Sequence, residues 1–179
     1  MSRFKISIMG IDELLAALPV SQGADVLSIV GTPGGFVDAA KVDRIDEALH
    51  AFKLRTGSSS LRLVFDDVIT SQGNYEAPRF DHVLRAAGWA TSVKRGGNVI
   101  VHCAAGISRS TAMAIVMYLA VGVDPSRAVG LVFDARPQAD PNPRILQYAE
   151  QLYKMAPGKL TNMASYLVKA RKQGANHAE

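Results

Sequence analysis

Apolar residues recur along this 179-residue chain with two different periods, and the changes of period mark its elements. Alternation over residues 4–9, with Phe4, Ile6 and Ile8 on one side, predicts a first strand. Asp12 is placed to cap a short helix carrying Leu14, Leu15 and Leu18, which Pro19 stops. A second strand over 25–30 runs into Gly31-Thr32-Pro33-Gly34-Gly35, a strong loop signal. Val42, Ile45, Leu49 and Phe52 recur at helical spacing, which predicts a helix over 38–54. A third strand over 61–65 ends in Asp66-Asp67. A polar loop with Gly73, Asn74 and Pro78 leads to a helix over 78–94 carrying Phe80, Val83, Leu84 and Ala87. After the turn at 95–98, the strand over 98–102 is continuously apolar, as suits the centre of a sheet. The rest is helical. Elements are predicted over 110–121, from Pro125 to about 133, from Pro143 to about 155, and over 160–172 before a polar tail. Asp124-Pro125 and Asn142-Pro143 supply cap and first-turn proline for two of them.

Strands alternating with helices, then a helical half, predict an α/β fold: a central short, mainly parallel sheet flanked by helices. No internal repeat is visible. The expected organisation is one domain over 1–156, with a C-terminal helix and tail over 157–179 packed on it or extending from it.

Composition narrows this little. The net charge of +4 favours anionic partners but is ordinary at this size. No stretch interleaves aromatic and basic residues densely enough for a nucleic-acid platform. The histidines (His50, His82, His102, His177) are scattered and there is one cysteine, Cys103, so neither a metal site nor a disulfide framework is expected. Lys5 and Asp12-Glu13 interrupt the early apolar runs, against a signal peptide. The apolar stretch 111–123 is too short to span a bilayer. A cytoplasmic location without cofactors is the expectation.

Cys103 is where chemistry concentrates. It lies between the fourth strand and the following helix, at the carboxyl end of a strand, where open α/β sheets bind ligands. The segment His102-Cys103-Ala104-Ala105-Gly106-Ile107-Ser108-Arg109-Ser110 turns from strand to helix through Gly106. A loop of that kind aims backbone N–H groups inward as an anion nest, and the helix adds its positive end. The same field favours a thiolate over a thiol. Arg109 supplies a fork that grips two oxygens of a tetrahedral anion.

His-Cys, five residues, then Arg-Ser, with glycine third after the cysteine, resembles the signature of the cysteine-based protein tyrosine phosphatases. The wider pattern, over residues 61–152, is similar to the compact dual-specificity-like bacterial type. The resemblance implies a phosphomonoester hydrolase acting on phosphotyrosine, and on phosphoserine or phosphothreonine as a further class. It implies Cys103 as nucleophile and Arg109 as phosphoryl ligand. The amides of Ala104, Ala105, Gly106, Ile107, Ser108 and Arg109 would line the cup. Ser110 would donate to the sulfur, and His102 would order the loop. The substrate would be a phosphorylated protein or another phosphomonoester.

The family takes its general acid from an upstream aspartate. Val64-Phe65-Asp66-Asp67 resembles the compact type, whose acid follows a short strand by one residue; this favours Asp67 and leaves Asp66 as the alternative. Asn142 is read either as a residue ordering the cup or its water, or as a plain helix cap. Arg136 is read as an anion attractor or a solvated arginine, and His82 as structural. Departures are the missing Trp-Pro-Asp triplet, the missing glutamine-rich segment and the absence of lysine from the cup. The last makes a lipid phosphate the less favoured substrate. A rhodanese-like sulfurtransferase and a catalytically silent phosphoprotein-binding module are the other readings of a cysteine loop. Arg109-Ser110 and the Asp pair weigh against the first. The retained cysteine, arginine and acid weigh against the second.

Overall fold

A computed structural model describes residues 3–35 and 38–175. The elements in chain order are β1 (Lys5–Met9), α1 (Ile11–Ala17), β2 (Asp25–Val30), α2 (Ala39–Thr56), β3 (Ser60–Val64) and α3 (Phe80–Ser92). There follow β4 (Asn98–His102), α4 (Arg109–Ala120), α5 (Pro125–Ala135), α6 (Pro143–Leu152) and α7 (Lys159–Ala175). The strands form one sheet in the order β1-β4-β2-β3, every pairing parallel. β4 is therefore flanked on both sides, as its continuous apolar run predicts.

Strand alternation feeds two cores. Phe4, Ile6, Ile8, Leu27, Ile29, Leu63, Val99 and Val101 face α3–α7. Val26, Val30 and Ile100 face α1 and α2, with Leu14, Ile45 and Phe52. Helices thus cover both faces, not only one. α4 is buried along almost its whole length, from Arg109 to Leu119, which is why it reads as uniformly apolar after Thr111.

Some boundaries differ from expectation for local reasons. α1 starts at Ile11 rather than after Asp12; Glu13 Oε2 accepts from the Gly10 N–H at 2.7 Å, so the cap lies two residues earlier. Asp12 instead pairs with Lys41 at 3.0 Å. α6 stops at Leu152 because Lys154 takes φ 51°, a conformation that ends a helix.

The C-terminal helix is tied to the rest. Leu160 and Ala164 lie in the main core. Glu150 of α6, 3% exposed, accepts from the N–H groups of Gly158, Leu160 and Thr161 and from the Thr161 hydroxyl, at 2.8–3.2 Å. Its carboxylate satisfies donors that the start of α7 leaves open. Arg171 reaches back to the Phe133 carbonyl at 2.8 Å. The end of the predicted polar tail, residues 176–179 with His177, lies outside the described residues.

Candidate active site

The loop between β4 and α4 is anchored mainly through its carbonyls, with Cys103 N also donating to Met9 O at 3.4 Å. Ala104 O accepts from Ile11 N at 3.0 Å. Ala105 O and Gly106 O accept from Arg136, at 3.2 Å from Nη2 and 3.1 Å from Nε. Ile107 O accepts from Asp140 N at 3.0 Å, and Ser108 O from Ala112 N at 3.1 Å and Asn142 N at 3.3 Å. Thr111 Oγ1 donates to the last two carbonyls as well, at 2.5 and 2.9 Å. A trans peptide sets its N–H opposite its C=O, and no peptide bond here is cis. Five outward carbonyls therefore turn the N–H groups of Ala105, Gly106, Ile107, Ser108 and Arg109 the other way. Among the described residues none of those five donates a hydrogen bond to another group of the chain. The result is a cup of free amides.

Gly106 is required by the turn. Its φ is +72°, and a Cβ there would lie 2.6 Å from Gly10 N and from Met9 C. Any side chain would push the loop off the β1–α1 junction.

Cys103, 1% exposed, forms the floor of the cup. Its Sγ is 3.2 Å from Ser110 Oγ. Arg109, 3% exposed, donates from Nη1 to the Phe65 carbonyl at 2.8 Å, while its buried Nε has no hydrogen-bond partner. One end of the guanidinium is fixed and donors remain for an anion. Phe65 is itself held by a stacked His82 ring, centroids 4.7 Å apart. His82 Nδ1 accepts from the Arg79 N–H at 3.1 Å at the start of α3. Burial holds this imidazole below its ordinary pKa, with Asp81 pulling the other way.

The two strand-end aspartates separate completely. Asp66, 1% exposed, accepts from Thr32 N at 3.2 Å, Thr32 Oγ1 at 2.5 Å and Glu76 N at 3.0 Å. It ties the 31–35 loop to the segment after β3, and Gly31 and Gly35 leave room for its carboxylate. Asp67 stands at the rim. Its Oδ1 accepts from Ser108 Oγ at 2.7 Å and Asn142 Nδ2 at 2.9 Å, and its Oδ2 lies 3.9 Å from Arg109 Nε. Asn142 also caps α6, its Oδ1 accepting from Arg144 N at 3.0 Å and Ile145 N at 3.4 Å. The same side chain thus caps α6 and reaches Asp67.

His102 turns away from the cup. Its Nε2 is 2.8 Å from Ser28 Oγ, its register partner on β2. Nδ1 is buried without a partner in bonding geometry. Burial drives the ring's pKa down to about 4; the Cys103 backbone opposes this, and the Arg62 and Arg109 guanidiniums add to it.

Arg136 is mostly buried rather than solvated. Besides the two cup carbonyls it binds Glu13 Oε1 at 2.8 Å. That hydrogen bond, with the one from Gly10, holds the Glu13 carboxyl below its ordinary value despite partial burial. Ser28, Thr32, Phe65 and Glu13 are not singled out in the sequence as supports of the cup, since each acts on it through a partner distant in the chain. Among the described residues no group of acidic, histidine or cysteine side chains could hold a metal ion.

A parallel α/β sheet that ends in a cup of free amides around Cys103 and Arg109 defines a class. The chain is similar in sequence to dual specificity phosphatases and in fold to protein tyrosine phosphatases. It is 29% identical over 126 residues to dual specificity protein phosphatase 15 of Mus musculus, covering 66% of this chain and 52% of that protein. It is 34% identical over 86 residues to MAP kinase phosphatase with leucine-rich repeats protein 3 of Dictyostelium discoideum, covering 44% of this chain and 10% of that protein. The chain thus spans about half the length of the first of these relatives. No protein-family model matches it. Among solved structures, Tk-PTP in the active form superposes with a TM-score of 0.52 at 18% identity, covering 87% of this chain and 95% of that one. Human DUSP28(Y102H) gives 0.52 at 21% identity, covering 86% and 94%. PTPMT1 in complex with PI(5)P gives 0.53 at 16%, covering 84% and 90%. At these identities the likeness is one of fold.

Proposed function

We propose that this chain is a phosphomonoester hydrolase that works through a phosphocysteine intermediate, with phosphotyrosine on protein as its main substrate and phosphoserine or phosphothreonine as a further class. The observation that carries the proposal is the set of five free amides facing Cys103 beside a half-anchored Arg109. That cup matches a tetrahedral dianion, and its donors gain as charge spreads over the equatorial oxygens in the transition state.

In this mechanism Cys103 Sγ attacks phosphorus, and the P–O bond to the leaving group breaks as Asp67 delivers its proton to that oxygen. Asp66 has no place in the step, since both of its oxygens are spent inside the fold. Water then attacks the phosphocysteine, giving its proton to Asp67, and Ser110 Oγ stabilises the departing sulfur. His102 acts by joining β4 to β2 beneath the cup. No helix of the described residues is long and apolar enough to cross a membrane. A cytoplasmic location, and residues 157–175 acting as part of one unit with the cup, complete the proposal.

Turnover of para-nitrophenyl phosphate by the wild-type chain, abolished in Cys103→Ala, is the test. Equal hydrolysis by that variant would remove the cysteine mechanism. Thiosulfate:cyanide transfer in its place would favour the sulfurtransferase reading.

A further inference from the structure

In the reaction proposed above, the leaving group departs toward Asp67, so the molecule bearing the phosphate lies on the side of the cup that Asp67 occupies. That side is built from the first turns of two helices. Asn142, which holds Asp67, also receives the Arg144 N–H. One turn along α6 stands Tyr148, with the Arg144 guanidinium 4.7 Å from its ring centroid. Phe80, the first residue of α3, meets the same ring edge-on at 5.9 Å and remains 38% exposed.

Arg144 differs from the cations around it. Arg79 is paired with Glu76 at 3.5 Å and Asp81 at 3.1 Å. Arg109 and Arg136 are committed to the cup. Among the described residues Arg144 has no carboxylate partner and its side chain donates no hydrogen bond; its Nε is buried without an acceptor. The aromatic face fixes the plane of the guanidinium and leaves its outer nitrogens unengaged. A cation ordered in this way is pre-organised for an anion that another molecule brings.

We infer that Arg144, seated on Tyr148 and edged by Phe80, is a docking shelf for the polypeptide of a phosphoprotein substrate and selects an acidic side chain within a few residues of the phosphorylated one. The inference rests on the phosphatase reading and names the substrate class for it. A carboxylate takes the outer nitrogens of Arg144 in a fork, and Phe80 gives apolar contact to an adjoining side chain. A small aryl phosphate ends at Asp67 and does not reach the shelf.

The test uses three phosphotyrosyl peptides that differ only in carrying Glu, Gln or Lys beside the phosphotyrosine. Each kcat/KM is divided by the para-nitrophenyl phosphate value of the same enzyme. The wild type should favour Glu over Lys by about tenfold at low ionic strength, and the ratio should shrink in about 0.5 M salt. Arg144→Glu should invert the order and Arg144→Gln should flatten it. Indifference of the wild type to the flanking residue, or an Arg144→Glu variant that still prefers Glu, overturns the inference. So does a loss in Arg144→Glu seen on phosphoinositide vesicles and on none of the peptides, which would assign the shelf to a lipid headgroup. Turnover without flank preference removes this inference alone. Absence of turnover on every phosphate ester removes the phosphatase reading with it.

Discussion

Asn142 Nδ2 lies 2.9 Å from Asp67 Oδ1, the same oxygen that Ser108 Oγ reaches at 2.7 Å. With Oδ1 doubly occupied, Oδ2 is the oxygen left to carry a proton toward a leaving group, and it faces Arg109 at 3.9 Å. Asn142→Ala removes one of the two tethers and the cap of α6. The cap alone is worth about 1 kcal/mol of stability. The kinetic loss should depend on the leaving group: about tenfold in kcat for phenyl phosphate and much less for para-nitrophenyl phosphate, whose leaving group needs little protonation. Rates for a series of aryl phosphates check this. A uniform loss across the series would mean that Asn142 does not act through Asp67.

His82 combines two contacts that substitutions can separate. Its ring stacks on Phe65, whose carbonyl anchors Arg109, and its Nδ1 caps α3. His82→Asn keeps an acceptor near the cap and loses the ring; His82→Phe does the reverse. Both should lower Tm. Only His82→Asn should weaken inhibition by vanadate, by roughly tenfold, because a small shift of the Phe65 carbonyl displaces the guanidinium. Equal vanadate affinity in the two variants would reduce His82 to a packing role.

His102 sets an acid limit on stability. In the folded chain its pKa is pushed down to about 4, whereas an unfolded histidine protonates near 6.5. Between those values the unfolded state binds more protons, so stability is flat above about pH 6.5 and falls as pH drops toward about 4. The loss is on the order of 3 kcal/mol. Urea denaturation at pH 7 and pH 4.5 measures it. His102→Asn, which can still meet Ser28, should lose most of that slope.

The Arg136–Glu13 pair holds the cup from behind. Arg136→Met leaves the carbonyls of Ala105 and Gly106 without their donor, and kcat/KM should fall by at least about tenfold. Arg136→Lys should restore little, since one ammonium cannot span three acceptors set around a fork. The Glu13 carboxyl lies below its ordinary value. Its contribution is therefore present above the unfolded carboxyl pKa and disappears as pH falls through the lower folded one. Glu13→Gln should be acid-insensitive in that range.

Glu150→Gln tests whether residues 157–175 fold with the rest. An amide in place of the carboxylate turns one acceptor into a donor facing the N–H groups that start α7. The expected loss is about 1–3 kcal/mol in one cooperative transition, with kcat of the folded protein unchanged. A separate early transition would show α7 to be an independent appendage.

Features carried by neighbouring residues were legible in the sequence. The β4–cup–α4 segment announces itself because cysteine, glycine, arginine and serine lie within a few positions. Asp124 and Asn142 read as caps because a cap acts on the next turn of its own chain. Spacing favoured Asp67 over Asp66, but the reason Asp66 is unavailable lies with Thr32, 34 residues away. From sequence Arg136 reads as an anion attractor or a solvated arginine because its carboxylate partner is 123 residues distant. Side chains that support the cup from outside have no local pattern, since what they recognise is backbone.

Gly106 rests on the peptide joining Met9 and Gly10, and among the described residues β1, which ends at Met9, pairs only with β4. This has a consequence for biosynthesis. The first strand emerges from the ribosome with no partner and waits, at about 5–20 residues per second, for the strand that carries His102. Closing that sheet edge sets the loop against Gly10, while its other anchors, Arg136, Asp140 and Asn142, come later in the chain. Until those residues emerge, Cys103 stands in a cup only partly built.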